Sequence, residues 1–331
     1  MPRIDYADSV SLTGQQAIEG GVAAPVPPVV VDGIWKRFGA TDVVTDLSFD
    51  VRLGEILGFL GPNGAGKTTT MRMILDIIRP DRGSISVFGK PPGVEHQGRT
   101  GYLPEERGLY RDVPAVDTLA YFGALRGLPL GEARSRARGL LTEVGLGDSI
   151  GKKAGELSRG MHQKAQLVAT IINDPDLLIV DEPFQGLDPV NATMLKSLLV
   201  AQRDRGVAVV MSTHDMEDAQ VLCDRILLID KGRRLLYGTV ADIRRAFSDG
   251  AVEVVGKNLP IDATALQSVT HAKTYDGSVR YLLRDGASAR DLFRELGESQ
   301  ADVERFAVEA PNLAEIFIRT VAGDQRAKAV A

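Results

Sequence analysis

From Val29 onward, short unbroken apolar runs alternate with segments whose apolar positions recur three and four residues apart. The runs predict strands buried on both faces and the spaced segments predict helices, so the chain reads as βα units around a largely parallel sheet. "EILGFL" (residues 55–60) is the first such strand. Met71, Ile74, Leu75 and Ile78 follow it on one helical face, which should end near Pro80. "DLLIVDEP" (176–183), "GVAVVMSTHD" (206–215) and "RILLID" (225–230) predict further central strands.

Between Asp112 and Gly147 the period is helical only. It runs through Val116, Leu119, Phe122 and Leu125, then Ala133, Ala137, Leu140, Leu141 and Val144, and predicts an inserted helical lobe. Beyond Gly250 the pattern changes to alternating strands. Asp276-Gly277 marks a hairpin turn, a helix is expected over 287–296, a strand over 302–309 and a last helix from Asn312. These make a small α+β appendix, and no internal repeat or low-complexity tract appears.

A chain of 331 residues with 44% apolar content can bury about two domains. Its net charge of −5, with no stretch rich in lysine or arginine, disfavours nucleic acid as a partner. The single cysteine, Cys223, cannot form an internal disulfide and reads as a small buried hydrophobe in a reducing compartment. No apolar run approaches the roughly 18 residues a membrane-spanning helix needs. Asp5 and Asp8 stand where a signal peptide would be apolar, so residues 1–28 read as a mobile polar leader.

The candidate chemistry begins at "GFLGPNGAGKTTTM" (58–71). Gly61, Gly66, Lys67 and Thr68 have the spacing at which backbone N–H groups wrap a phosphate chain, lysine neutralises it and a hydroxyl holds Mg²⁺. The same glycines would also serve a flexible turn. The order strand, loop, helix favours the cradle, because it aims a helix N-terminus at the phosphates.

Further along, Asp181 and Glu182 end an apolar strand. Beside a phosphate loop they suit a cation ligand and a base for water; otherwise they are a solvated strand end. Ser158 stands at a helix start and is either a phosphate contact or an ordinary cap. His214 is either a phosphate donor or structural, and Phe38 either stacks on a base or simply packs.

Taken together over residues 29–240, these motifs resemble the ATP-binding subunits of ABC transporters. The resemblance implies a P-loop NTPase (ABC ATPase) α/β core over 29–248 with a helical lobe at about 106–157. It further implies a C-terminal α+β domain over 249–322 and a tail at 323–331. Gly61, Pro62, Asn63, Gly64, Ala65, Gly66, Lys67, Thr68 and Thr69 match Walker A, and "LLIVDE" ending in Asp181 and Glu182 matches Walker B. Leu157, Ser158, Arg159, Gly160 and Met161 match the signature, Asp188 ends the D-loop, His214 is the switch histidine and Phe38 falls at the adenine-stacking position. The resemblance then assigns catalysis to Glu182, His214 and Lys67, nucleotide binding to Phe38, the Walker A residues including Lys67, the signature residues and Asp188, and Mg²⁺ to Thr68, Glu105 and Asp181.

Two positions depart from the family's pattern. Glu105 replaces the usual Q-loop glutamine, adding negative charge near the γ-phosphate while keeping an oxygen for Mg²⁺. The signature reads LSRGM rather than LSGGQ. Both variants, with "APNLAEIFIRTV" (310–321), resemble a bacterial branch that exports sodium or hydrophobic drugs. The expected partners are a second ATP-binding subunit, a homodimer by default, and a separate membrane permease on whose cytoplasmic face the protein would sit. A soluble ABC-type ATPase acting on DNA or ribosomes is the alternative, but it would need long coiled coils or a second cassette, and neither is present in the sequence.

Overall fold

The computed structural model describes residues 26–330 apart from 107, 248, 249, 276, 309 and 310. The leader at 1–25, Asp276 of the expected hairpin turn, residue 309 of the expected strand and residue 331 of the tail therefore lie outside the described residues.

β1 (Val29–Phe38) and β2 (Thr41–Val51) pair antiparallel, and β3 (Ile56–Leu60) then leaves them for a different sheet. α1 (Lys67–Ile74) follows the glycine loop, and β4 (Arg82–Val87) returns to the other side of β1, giving a three-stranded antiparallel order β2-β1-β4. The expectation of βα units from Val29 fails over this stretch for a simple reason. Two residues join β1 to β2, which is room for a hairpin but not for a parallel crossover. α1 is also shorter than its apolar face suggests. Asp76 adopts a left-handed φ of 55°, and the N–H groups of Ile77 and Ile78 both fold back to the Arg72 carbonyl, closing the helix before Pro80.

β5 (Thr100–Leu103) opens the second sheet, after which α2 (Ala115–Leu125) and α3 (Leu130–Glu143) form the helical lobe with α4 (Arg159–Ile171). Leu119, Ala137, Leu141 and Val168 are the buried seam between these helices. β6 (Leu177–Asp181), α5 (Pro189–Asp204), β7 (Ala208–Thr213), α6 (Met216–Leu222), β8 (Arg225–Asp230) and β9 (Arg233–Thr239) complete the sheet. Its order is β5-β6-β7-β3-β8-β9, parallel except for β9. β3, β6 and β7 are buried from end to end, as their unbroken apolar runs require. β7 lies between β3 and β6, so the carboxyl ends of all three open on one place, where α/β sheets bind ligands.

α7 (Val240–Ala246) leads to an antiparallel sheet of β10 (Ala251–Lys257), β11 (Val269–Tyr275) and β12 (Ser278–Leu283). α8 (Ala289–Glu298) buries Leu292 and Leu296 with Val252, Val254 and Tyr281, and β13 (Asp302–Val308) completes the order β11-β12-β10-β13. Burial pushes the Tyr281 phenol up to about 12, and its hydroxyl donates to the Pro260 carbonyl at 2.9 Å. α9 (Leu313–Val330) folds back onto the larger unit: Leu313 and Ile316 join its core and the Leu313 N–H donates to Gln220 Oε1 at 3.1 Å. No helix among the described residues is long and apolar enough to cross a membrane. Cys223 is buried, and that burial pushes its thiol well above the ordinary range.

A buried ion cluster ties the two sheets together. Arg225 of β8 donates to Asp50 of β2 at 3.1 Å and to Glu55 at 3.1 Å, and its guanidinium lies 4.5 Å from the Tyr237 ring centre. Burial raises the Glu55 carboxyl. At Asp50 burial acts the same way, but hydrogen bonds from Arg225 and Tyr237 outweigh it and hold the group below the ordinary value. Removing one partner of such a cluster strands the others' charge. Arg225→Met should therefore cost about 3–5 kcal/mol, read as a lower chemical-denaturation midpoint with the slope unchanged.

Candidate functional site

The loop after β3 owes its shape to glycines at two points. Gly61 has φ 146° and a Cβ there would lie 2.2 Å from the Ile229 carbonyl oxygen; Gly66 has φ 105° and its Cβ would lie 2.7 Å from the Val43 carbonyl oxygen. Any side chain at either position would force the loop open. Gly66 caps α1 without a side-chain acceptor, so the first N–H groups of that helix stay available to a ligand. Lys67, almost fully buried, folds its ammonium back to donate to the Gly61 carbonyl at 2.7 Å.

β6 delivers the carboxylates. Asp181 is buried at its end, and Glu182 follows with a left-handed φ of 47°, uncommon for a residue with a side chain. Glu182 Oε1 stands 3.6 Å from Lys67 Nζ, an ion pair too long to be a hydrogen bond, and Oε2 meets His214 Nδ1 at 3.0 Å. Asp181 Oδ2 and Glu182 Oε1 are buried without a hydrogen-bond partner. Orphaned carboxylate oxygens in a cleft are costly unless a ligand satisfies them.

Val43, Pro62, Asn63, Gly64, Ala65, Gly66, Lys67, Thr68 and Thr69 line one cleft of about 280 Å³ with Glu105, Asp181 and Glu182. Three carboxylates there face one ammonium. A bare triphosphate would be repelled, whereas a divalent cation with hard oxygen ligands would balance the charge. The Thr68 hydroxyl, the unpartnered Asp181 oxygen and Glu105 are donors of that kind, so the residues present fit Mg²⁺.

The structure brings the loop, Glu105, Asp181, Glu182 and His214 together, while of the signature only Arg159 comes near, in an adjoining cavity that shares Glu105 and Glu182. Ser158 caps α4, accepting from the Met161 N–H at 3.3 Å, and Gly160 packs so closely on Asn191 that a Cβ would lie 2.6 Å from its Nδ2. Arg159 donates to the Gln185 carbonyl at 3.1 Å and borders a second cavity of about 250 Å³ with His162, Gln163, Glu105, Glu182 and Gln185. Asp188 caps α5 through the Asn191 N–H at 3.0 Å, and these hydrogen bonds hold its carboxyl below the ordinary value. Leu157 and Met161 pack against the lobe core. Phe38 is 50% exposed at the end of β1, outside the core, with Lys36 Nζ over its ring at 5.5 Å from the centre.

Sequence reasoning missed Ser212. It lies in β7, directly beside Asp181 in the parallel register, and hydrogen-bonds both Asp181 and Glu182. Ser212 and Thr213 end an apolar run with two successive hydroxyls, and only the strand order tells which of them meets the carboxylates.

The family described as "ABC transporter" matches residues 44–185, and "ATP-binding protein DrrA1-3-like, C-terminal domain" matches residues 238–321. The uncharacterized ABC transporter ATP-binding protein YhaQ of Bacillus subtilis is 35% identical over 88% of this chain and 98% of its own. Nod factor export ATP-binding protein I of Ralstonia nicotianae is 35% identical over 91% of this chain and 95% of its own. A solved structure described as an ATP binding subunit of an ABC transporter aligns with TM-score 0.62 at 32% identity, covering 66% of this chain and 92% of that one.

Proposed function

Because this chain belongs to the family of ABC transporter ATP-binding proteins, we propose that its cleft binds MgATP and that a second copy completes it. The activity that comes with the family is ATP hydrolysis by a subunit that works with membrane permease components. In this reading the core spans 29–248, with its lobe near 106–157, and the appendix spans 249–322. The observation that carries the reading is the convergence of Lys67, Glu182 and the orphaned Asp181 oxygen beyond the carboxyl ends of β3 and β6, the two strands that flank β7.

The loop amides and Lys67 hold the phosphates, and Phe38 covers the base. Thr68, Asp181 and Glu105 hold magnesium, which supplies the positive charge between phosphates and carboxylates. Glu182, turned toward the cleft and held by His214, takes the proton of the attacking water. Ser158 and Gly160 do not line the cleft of their own subunit, although Arg159 between them borders the cavity next to it; this fits a signature that serves the partner's nucleotide, with Asp188 alongside it. A two-fold homodimer is the simplest arrangement with one loop and one signature per chain. The Nod factor relative's name points to export, and a permease would hold the dimer at the cytoplasmic face of the membrane.

Complementation tests the shared site. Lys67→Ala and Ser158→Ala should each be inactive alone, but mixed they should regain phosphate release, because the heterodimer holds one site with both residues intact. A mixture as dead as its components would mean that each chain builds its site alone.

A further inference from the structure

We propose that Ser212 is a positioning residue: its one hydroxyl couples the cation ligand Asp181 to the base Glu182. The inference rests on the roles proposed above for those two carboxylates.

Ser212 is fully buried in β7, and parallel pairing sets it beside Asp181 of β6. The Glu182 N–H donates to Ser212 Oγ at 2.9 Å, and Ser212 Oγ donates to Asp181 Oδ1. A hydroxyl has one proton, so spending it on Asp181 leaves only lone pairs for the Glu182 amide. The direction of both bonds is thereby fixed. Each bond has a consequence at the cleft. Occupying Oδ1 sets the Asp181 rotamer, leaving Oδ2 as the oxygen without a protein partner. Anchoring the amide holds Glu182 at its left-handed φ of 47°, the backbone turn from which its side chain reaches both Lys67 and His214. Without the hydroxyl, a buried carboxylate oxygen and a buried N–H lose their partner together.

The tests are Ser212→Ala and Ser212→Thr, the latter keeping the hydroxyl. In the alanine variant kcat for ATP should fall about 10- to 100-fold, the usual consequence of losing a group that orients a metal ligand. KM for ATP should move far less, and the Mg²⁺ concentration giving half-maximal rate should rise several-fold. Ser212→Thr should recover most of both losses.

A turnover-free readout uses Glu182→Gln protein. There the ratio of ATP affinity in Mg²⁺ to that in EDTA should drop by roughly tenfold when Ser212→Ala is added. If Ser212→Ala does not fold, Ser212→Cys, which keeps the shape and weakens the hydrogen bonds, takes its place. An alanine or cysteine variant whose kcat and Mg²⁺ dependence match the parent overturns the coupling, whatever its melting temperature. Equal losses in alanine and threonine with an unchanged Mg²⁺ ratio do the same, since they mark a packing role. A parent protein that neither binds nor cleaves ATP would instead bring down the reading beneath.

Discussion

Replacing Glu182 with glutamine should reduce ATP turnover by about 10²- to 10⁴-fold, the range expected when a positioned general base is lost. Glutamine keeps the length of the side chain and can keep the contact that Glu182 Oε2 makes with His214. What disappears is the negative charge and the ability to accept a proton. The same change frees Lys67, which now divides its ammonium between the Gly61 carbonyl and the Glu182 carboxylate 3.6 Å away. It also removes one of three carboxylates from a cleft that must admit a polyanion. ATP affinity should therefore hold or improve while hydrolysis stops. Phosphate release measured beside a fluorescence titration separates the two; normal turnover in this variant would remove Glu182 from its assigned role.

Lys67→Ala should act in the opposite sense, on binding first. A charge-assisted hydrogen bond contributes about 1.5–3 kcal/mol, so losing the ammonium should weaken ATP roughly ten- to a hundred-fold. The loss should be larger here than at an exposed lysine. Lys67 is almost fully buried and is the only cation facing Glu105, Asp181 and Glu182 in this cleft among the described residues. Without it, only the magnesium proposed at Thr68, Asp181 and Glu105 would offset the carboxylates' repulsion of the phosphates. Affinity unchanged in the titration would argue that the loop is a turn and not a cradle.

The phosphate loop was legible because its signal is local. Glycines at positive φ, a lysine and a threonine at fixed spacing announce the turn, and the apolar run before it announces the strand. The paired carboxylates were legible for the same reason, and the four central strands follow from apolar runs too short for helices. What escaped was set by pairing between distant segments. Ser212 looks like any polar residue near a strand end until β7 is placed between β3 and β6. Arg225 meets Asp50 and Glu55 across about half the chain, and no periodicity links them. The antiparallel sheet of β2, β1 and β4 was missed although its strands alternate buried with partly buried positions, as at Leu47, Phe49 and Val51, in contrast to the unbroken apolar runs of the parallel sheet. The two-residue link between β1 and β2 points the same way, since it leaves room only for a hairpin. The separation of the signature from its own subunit's cleft is likewise a property of packing, not of order along the chain.

Turnover at the proposed shared site depends most on two chains closing over nucleotide. Swinging such an equilibrium from mostly open to mostly closed takes about 5.5 kcal/mol of differential affinity, within reach of a few charge-assisted bonds from Ser158 and its neighbours. Light scattering on the Glu182→Gln protein measures this directly. The mass should double on adding ATP with Mg²⁺ and return to that of one chain when ADP replaces ATP. A mass that stays the same with and without ATP, in protein shown by titration to be saturated with nucleotide, would contradict it.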